Sequence, residues 1–225
     1  MKLAALFTGG KDSCYALWKA QKYHEHKVVC LITIASKNQE SYLYHTPNIS
    51  LTKYQAKAIG IPIILQKTKG VKEKEIKDLK KSLIKAKKEY KIEGVITGAI
   101  ASVYQATRIQ KVCQELKLWC FNPLWQKKQD EYLREIVNEG FEIYISAVAA
   151  HPFTKEWLGK KITKKDAEQL IKWEKEYGLN PAGEGGEYET FTTNAPCFKH
   201  PLTIKIEYKL FEGNSGRIVI EVLDT

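Results

Sequence analysis

The chain has 225 residues and a formal net charge of +10, with 36 Lys and Arg against 26 Asp and Glu. That length suits one large or two small domains with a sizeable core. No apolar run is long enough to span a bilayer, the start lacks a signal-peptide layout, and the five scattered cysteines form no C-x-x-C pair; a membrane protein, a zinc knuckle and a disulfide framework are excluded, and a reducing cytoplasm is expected.

The opening stretch, Leu3 to Phe7, is an apolar run that reads as a buried parallel strand. It breaks at Thr8-Gly9-Gly10-Lys11-Asp12-Ser13 and passes into a helix through Cys14 to Trp18. A strand, a glycine turn and a helix N-terminus make an anion site, because unpaired backbone N–H groups converge there. Asp12 beside a phosphate would be repulsive, and a bridging Mg²⁺ reverses that sign, so the pattern predicts a metal–nucleotide complex with Asp12 as the metal ligand. A Walker loop needs a glycine where Ala5 stands, and G-x-G-x-x-G starts at neither Gly9 nor Gly10. What remains resembles the PP-loop of ATP pyrophosphatases, S-G-G-x-D-S, with Thr8 in place of the first serine.

Val28 to Ala35 reads as a second strand. The loop Ser41 to Asn48 follows and contains His45, a contact or acid–base group if it faces a ligand and otherwise a loop histidine satisfied by backbone. Ile49 to Ile59 reads as a helix capped by Ser50 and closed by Gly60, and Pro62 to Gln66 as a third strand. From 71 to 91, apolar residues at helical spacing carry a lysine-rich outer face. That face is read as solvated rather than as a nucleic-acid dock, because no arginine or aromatic interleaves the lysines. Gly94 to Thr97 and Leu118 to Phe121 supply two further strands around a helix whose inner face is Val103, Ala106, Ile109, Cys113 and Leu116. Alternating strands and helices imply an α/β, Rossmann-like parallel five-stranded sheet with its ligand at the carboxyl ends of the strands. Thr33 and Gly98 lie at that edge and are adenosine-contact candidates. Ser102 caps the next helix, and Tyr104, Gln105 and Arg108 open onto the same cleft, where a guanidinium reaches a phosphate or carboxylate.

Around Asn122 to Trp125 the alternation stops, which sets domains at 1–124 and 125–225, the second a smaller α+β unit. Lys127 to Glu139 reads as a helix, Phe141 to Ala149 as a strand, and Thr163 caps a helix with Ala167, Leu170, Ile171 and Tyr177 inward. Leu202 to Leu210 alternates with period two and turns at Gly213 to Gly216 into a returning strand, a hairpin with one solvated face. Between them lies Gly183-Glu184-Gly185-Gly186-Glu187-Tyr188-Glu189-Thr190, in which three carboxylates crowd together in a basic protein and call for a cation or donor to offset them.

Together, the PP-loop, Tyr44 to Asn48, Gly98 to Arg108, Pro123-Leu124-Trp125 and Gly183 to Thr190 resemble the archaeal and eukaryotic diphthine–ammonia ligases along the whole chain. The resemblance implies a HUP-type nucleotide domain followed by a smaller domain, with the active site between them. It implies ATP and Mg²⁺ as cofactors and, as partners, ammonium and translation elongation factor 2 carrying diphthine. Adenylation of the diphthine carboxylate would release pyrophosphate, and ammonia would then displace AMP. Thr8, Gly9, Gly10, Lys11, Asp12 and Ser13 would hold the nucleotide. Lys11, Asp12, Arg108, Glu184, Glu187 and Glu189 are the catalytic candidates. His45, Asn48, Ser102, Tyr104, Gln105, Trp125, Gly185, Gly186, Tyr188 and Thr190 are the substrate-binding ones. The glutamates, with Tyr188, Trp125 or Tyr104, would grip the trimethylammonium of diphthine, or one of them would take a proton from ammonium. The rival readings are a tRNA-modifying PP-loop enzyme and a non-catalytic ATP-binding module. Stable nucleic-acid binding is not expected, and a homodimer is left open.

Overall fold

In the computed structural model, which describes residues 1–23, 25–36, 48–69 and 74–223, the opening run forms strand β1 (Lys2–Leu6) and leads through the glycine turn into helix α1 (Lys11–Gln21). There follow β2 (Lys27–Ser36), a 3-10 turn (Ile49–Leu51), α2 (Thr52–Ile59), β3 (Ile63–Thr68), α3 (Lys74–Tyr90), β4 (Gly94–Ile96), α4 (Val103–Glu115) and β5 (Trp119–Phe121). These five strands are parallel, in the order β3-β2-β1-β4-β5. The order reverses between β1 and β4, and a crevice opens there at the carboxyl ends of the strands. The rest of the chain supplies α5 (Gln129–Asn138), β6 (Glu142–Val148), a 3-10 turn (Lys155–Trp157), α6 (Lys164–Tyr177), β7 (Tyr188–Asn194), β8 (Ile204–Glu212) and β9 (Ser215–Val222). Its sheet is antiparallel, ordered β7-β6-β9-β8.

Strand alternation divides the core. Leu3, Ala5 and Phe7 face one way and join a cluster that runs through Tyr15 and Leu17 of α1 to Tyr132, Ile143, Leu170 and Ile220 of the second half. Ala4, Cys30, Ile32 and Val95 face the other way and are covered by Leu79 and Leu83 of α3 and Val112 of α4. One side of the parallel sheet is therefore packed by the amphipathic lysine helix, and the other shares a core with the second sheet. The helix boundaries follow local chemistry. Thr163 accepts from the Asp166 N–H while Asp166 accepts from the Thr163 N–H, a reciprocal cap on α6, and Gly60 and Gly178 end α2 and α6 in left-handed conformation.

Several expectations need correction. Ser50 sits inside the 3-10 turn rather than capping a helix, and left-handed Asn48 (φ 64) precedes that turn. Val103 and Tyr177 face outward, at 63% and 52% exposure: Val103 starts α4 at the rim of the crevice, and Tyr177 ends α6 edge-on to His151. A register shift between Ile206 and Tyr208 breaks the alternation of β8 and leaves Tyr208 and Leu210 on the surface. Strand β7 was not foreseen, because its polar sequence, Tyr-Glu-Thr-Phe-Thr-Thr-Asn, hides a strand buried along most of its length.

Candidate active site

The site is built where β7 runs across the start of α1. Gly9 adopts φ +79, and its carbonyl accepts from the Thr192 N–H (3.0 Å) and from Gln55 Nε2 (2.8 Å). Gln55, fully buried on α2, also donates to the Thr192 carbonyl at 2.7 Å. A Cβ on Gly9 would stand 2.0 Å from Gln55 Oε1, so this turn requires glycine. One residue on, the Lys11 N–H donates to Thr190 Oγ1 at 3.0 Å. Ser13 Oγ, donating to the Gly10 carbonyl, accepts from the Thr8 N–H and hydroxyl at 3.2 Å each. The replacement of serine by threonine thus keeps a hydroxyl that closes the turn.

Lys11 is only 2% exposed. Its Nζ contacts both oxygens of Asp12 (2.9 and 3.0 Å) and the Ala182 carbonyl (2.5 Å), and lies 5.2 Å from the Tyr188 ring centre. Burial pulls its pKa down, but the Asp12 carboxylate and its neighbours outweigh that and hold it above the ordinary lysine value, so Lys11 stays charged. Asp12 also accepts from the Tyr132 hydroxyl at 2.8 Å. Behind the turn, Gly98 brings the loop after β4 so close to α1 that a Cβ there would lie 2.9 Å from the Asp12 carbonyl carbon.

The cavity between these segments measures about 550 Å³ and is lined by Thr8, Gly10 to Ser13, Thr97 to Ala99, Ser102, Gln105, Ala147 to Ala149, Gly183 to Gly186 and Tyr188 to Thr190. The opening turn and the late acidic loop therefore face one another across one space. Glu184 accepts from the Ala101 N–H at 3.1 Å, ahead of α4, whose cap is the Ser102 side chain. Burial, then the Asp12 charge, raise its pKa. Glu187 turns back into its own loop and accepts from the N–H groups of Asn180 (3.0 Å) and Gly185 (2.8 Å). Glu189 is pushed up to about 7 by burial and by the Asp12 and Glu184 charges, against the pull of Lys11.

Other sequence candidates stand apart from this lining. Thr33 is buried and donates to the Phe7 carbonyl at 2.5 Å. Asn48 bonds the backbone of β9, donating to Ile218 O (3.3 Å) and accepting from the Ile220 N–H (3.4 Å). Arg108 lies 3.5 Å from the Tyr104 ring centre, stacked on its face, and half-buried Trp125 follows the β5 turn. His45 falls in 37–47, outside the described residues. Conversely, Gln55, Tyr132 and Thr192 had drawn no attention in the sequence: one polar residue in an amphipathic helix, one aromatic at a core position and one threonine among several carry no local signal.

The chain resembles known proteins along most of its length. Family models described as the diphthamide synthase N-terminal and C-terminal domains match residues 1–119 and 128–223. Diphthine–ammonia ligase of Rattus norvegicus is 34% identical over 223 residues, spanning 91% of this chain and 83% of that one. The Homo sapiens protein of the same name is 33% identical over the same shares. That of Schizosaccharomyces pombe is 30% identical over 97% of this chain but only 38% of its own length. The chain belongs to the diphthamide synthase, or diphthine–ammonia ligase, family.

Proposed function

We propose that this chain, an ATP-dependent ligase, amidates the diphthine carboxylate of translation elongation factor 2 through an acyl-adenylate, releasing pyrophosphate and then AMP. A carboxylate is a poor electrophile, and adenylation gives it a leaving group. The observation that carries the reading is the meeting of the phosphate-type turn and the acidic loop in one cavity, joined by the Lys11–Thr190 and Lys11–Ala182 hydrogen bonds. Lys11 and the start of α1 would bind the departing pyrophosphate, whose negative charge grows as the bond breaks. Glu184 would hold the loop before α4 against the reacting groups. Residues 1–124 would form the nucleotide half and residues 125–225 the half that presents the protein substrate.

The charges of the cavity suit a divalent cation. Lys11 faces Asp12, Glu184 and Glu189, so the lining holds more acid than base before the nucleotide adds its own negative charge. Mg²⁺ takes one or two carboxylate oxygens together with phosphate oxygens. Asp12, partly exposed at the cavity, would hold it, and the ion would neutralise charge on the polyphosphate.

Sulfur transfer to tRNA is disfavoured by a specific observation: no cysteine lines the cavity among the described residues, and burial holds the thiols of Cys14, Cys30 and Cys197 above their ordinary range. The free cysteines fit a cytoplasmic protein, and no described helix is long and apolar enough to cross a membrane. The test is purified protein with ATP, Mg²⁺, ammonium and diphthine-bearing elongation factor 2, followed by mass spectrometry of the modified residue. Amide formation that depends on both ATP and ammonium is expected. ATP turnover that leaves the carboxylate unchanged would overturn the assignment.

A further inference from the structure

The late loop carries three carboxylates within six residues, and the structure gives each a different bonding state. Glu187 is spent on two backbone N–H groups of its own loop, at 3.0 and 2.8 Å. Glu184 is spent on the Ala101 N–H, at 3.1 Å. Glu189, second residue of β7, lines the cavity and has no hydrogen-bond donor among the described residues. A half-buried carboxylate without a donor is a costly arrangement that an incoming donor relieves.

The chemistry of that donor is constrained. A phosphate would be repelled. A trimethylammonium group offers no N–H, and the aromatic faces that would otherwise hold it are engaged or stand off: the Tyr104 ring is covered by Arg108, the buried Tyr188 ring by Lys11, and Trp125 does not line the cavity. Ammonium is small, positively charged and carries only donors. We infer that Glu189 receives the ammonium ion and takes its proton, so that the nucleophile is generated beside the activated carboxyl group. This inference rests on the ligase reading above.

The step balances. One N–H bond of ammonium breaks, its electron pair stays on nitrogen and the proton passes to a Glu189 oxygen. The nitrogen lone pair forms the C–N bond at the acyl carbon, the C–O bond to the phosphate of AMP breaks, and AMP leaves with that electron pair. A second proton is lost from nitrogen to solvent, and Glu189 returns its own to solvent. The groups facing Glu189 are Lys11 and Asp12 from α1, Glu184 from the loop and the neighbouring Tyr188; burial and the two acids raise its pKa to about 7, which makes it a stronger base than an ordinary carboxylate, with about half of it in the base form at neutrality.

Hydroxylamine separates this role from a structural one, because it is already neutral at pH 7 and needs no base. The Glu189→Gln variant is assayed for ATP–pyrophosphate exchange, for amide formation with ammonium and for hydroxamate formation with hydroxylamine. Amide formation should fall about 100-fold, the scale of a lost general base, while hydroxamate formation stays within a few-fold of the wild type. Glu184→Ala, which removes the acceptor of the Ala101 N–H and so loosens the loop before α4, should depress both nucleophiles alike. If Glu189→Gln keeps full ammonium-dependent activity, or loses both nucleophiles equally, Glu189 is not the base. A wild-type enzyme that forms no amide with ammonium overturns the ligase reading, and this inference with it.

Discussion

Replacing Tyr132 by Phe tests whether the second half of the chain sets the geometry of the nucleotide turn. Tyr132 is fully buried on α5, its ring packs edge-on against Tyr15 with centroids 5.1 Å apart, and Lys11 Nζ lies 5.9 Å from its own ring centre. Phenylalanine keeps all of that and deletes only the hydroxyl that donates to Asp12 at 2.8 Å. A hydrogen bond to a charged acceptor contributes about 1.5–3 kcal/mol. Asp12 is 30% exposed and retains both contacts from Lys11, so water compensates in part and the lower end, about 1.5 kcal/mol, applies. For a chain of this size each kcal/mol moves Tm by roughly 2–4 °C, which gives a fall of about 3–6 °C in a thermal melt. A comparable loss in holding Asp12 at the polyphosphate slows ATP–pyrophosphate exchange about tenfold, with the deficit largest at low Mg²⁺. If Tyr132→Phe melts like the wild type and exchanges with an unchanged Mg²⁺ dependence, Lys11 alone orients Asp12 and the contact from α5 has no catalytic consequence.

Other substitutions separate the parts of the site. Gly9→Ala combines a left-handed φ of +79 with a Cβ 2.0 Å from Gln55 Oε1, and should cost about 2–5 kcal/mol and abolish exchange. Gly10→Ala, with φ −78 and a nearest contact of 3.3 Å, should cost less; a melt that ranks the two the other way contradicts the described turn. Glu187→Ala strips the acceptor from the Asn180 and Gly185 amides, so hydrogen exchange across 180–186 should quicken and both half-reactions should decline together; unchanged exchange in that segment would refute the clasp. Burial pushes the folded Glu189 pKa up to about 7 from the ordinary carboxylate value near 4.5, so the folded state binds the extra proton and wild-type stability is lost as pH rises between these values. At roughly 1.4 kcal/mol per unit the loss reaches about 3 kcal/mol. Glu189→Gln should therefore out-melt the wild type at pH 8 and show little advantage at pH 5, and a pH-independent gap would remove the premise of a strained carboxylate.

What the sequence discloses depends on whether the cause is local. The parallel sheet, the glycine turn and the α4 and α6 caps are written in short-range chemistry: apolar strands, a helix start with unpaired N–H groups, and Ser102 and Thr163 at cap positions. The partners of the turn are not. Gln55 and Thr192 are separated from Gly9 by 46 and 183 residues and meet it only because β7 lies across α1 and α2. Strand β7 carries strand-favouring threonines and aromatics but no apolar/polar alternation, so its hydrophobic pattern did not announce it before the fold buried it. The three glutamates were legible as a group, since their crowding is a property of the sequence. Their separation into a loop clasp, a support for the α4 loop and a carboxylate without a donor depends on backbone amides that sequence spacing does not locate.

The shared core has a consequence for how the activity is divided between the halves. Leu3, Phe7, Tyr15 and Leu17 lie in one buried cluster with Tyr132, Ile143, Leu170 and Ile220, so the turn rests on a core that the first 124 residues do not complete. Three of the groups that hold the turn also come from beyond that point: the Ala182 carbonyl on Lys11, the Thr190 hydroxyl on its N–H, and Thr192 on Gly9. The glycine motif is therefore only half of the structure that shapes this turn. Its amides are aimed by β7, and the same hydrogen bonds that aim the turn bring the carboxylates of the loop preceding β7 to the cavity it faces. Under the proposed function, nucleotide binding and recognition of the second substrate would be coupled through covalently continuous residues, 182 to 192, rather than through a hinge between independent modules.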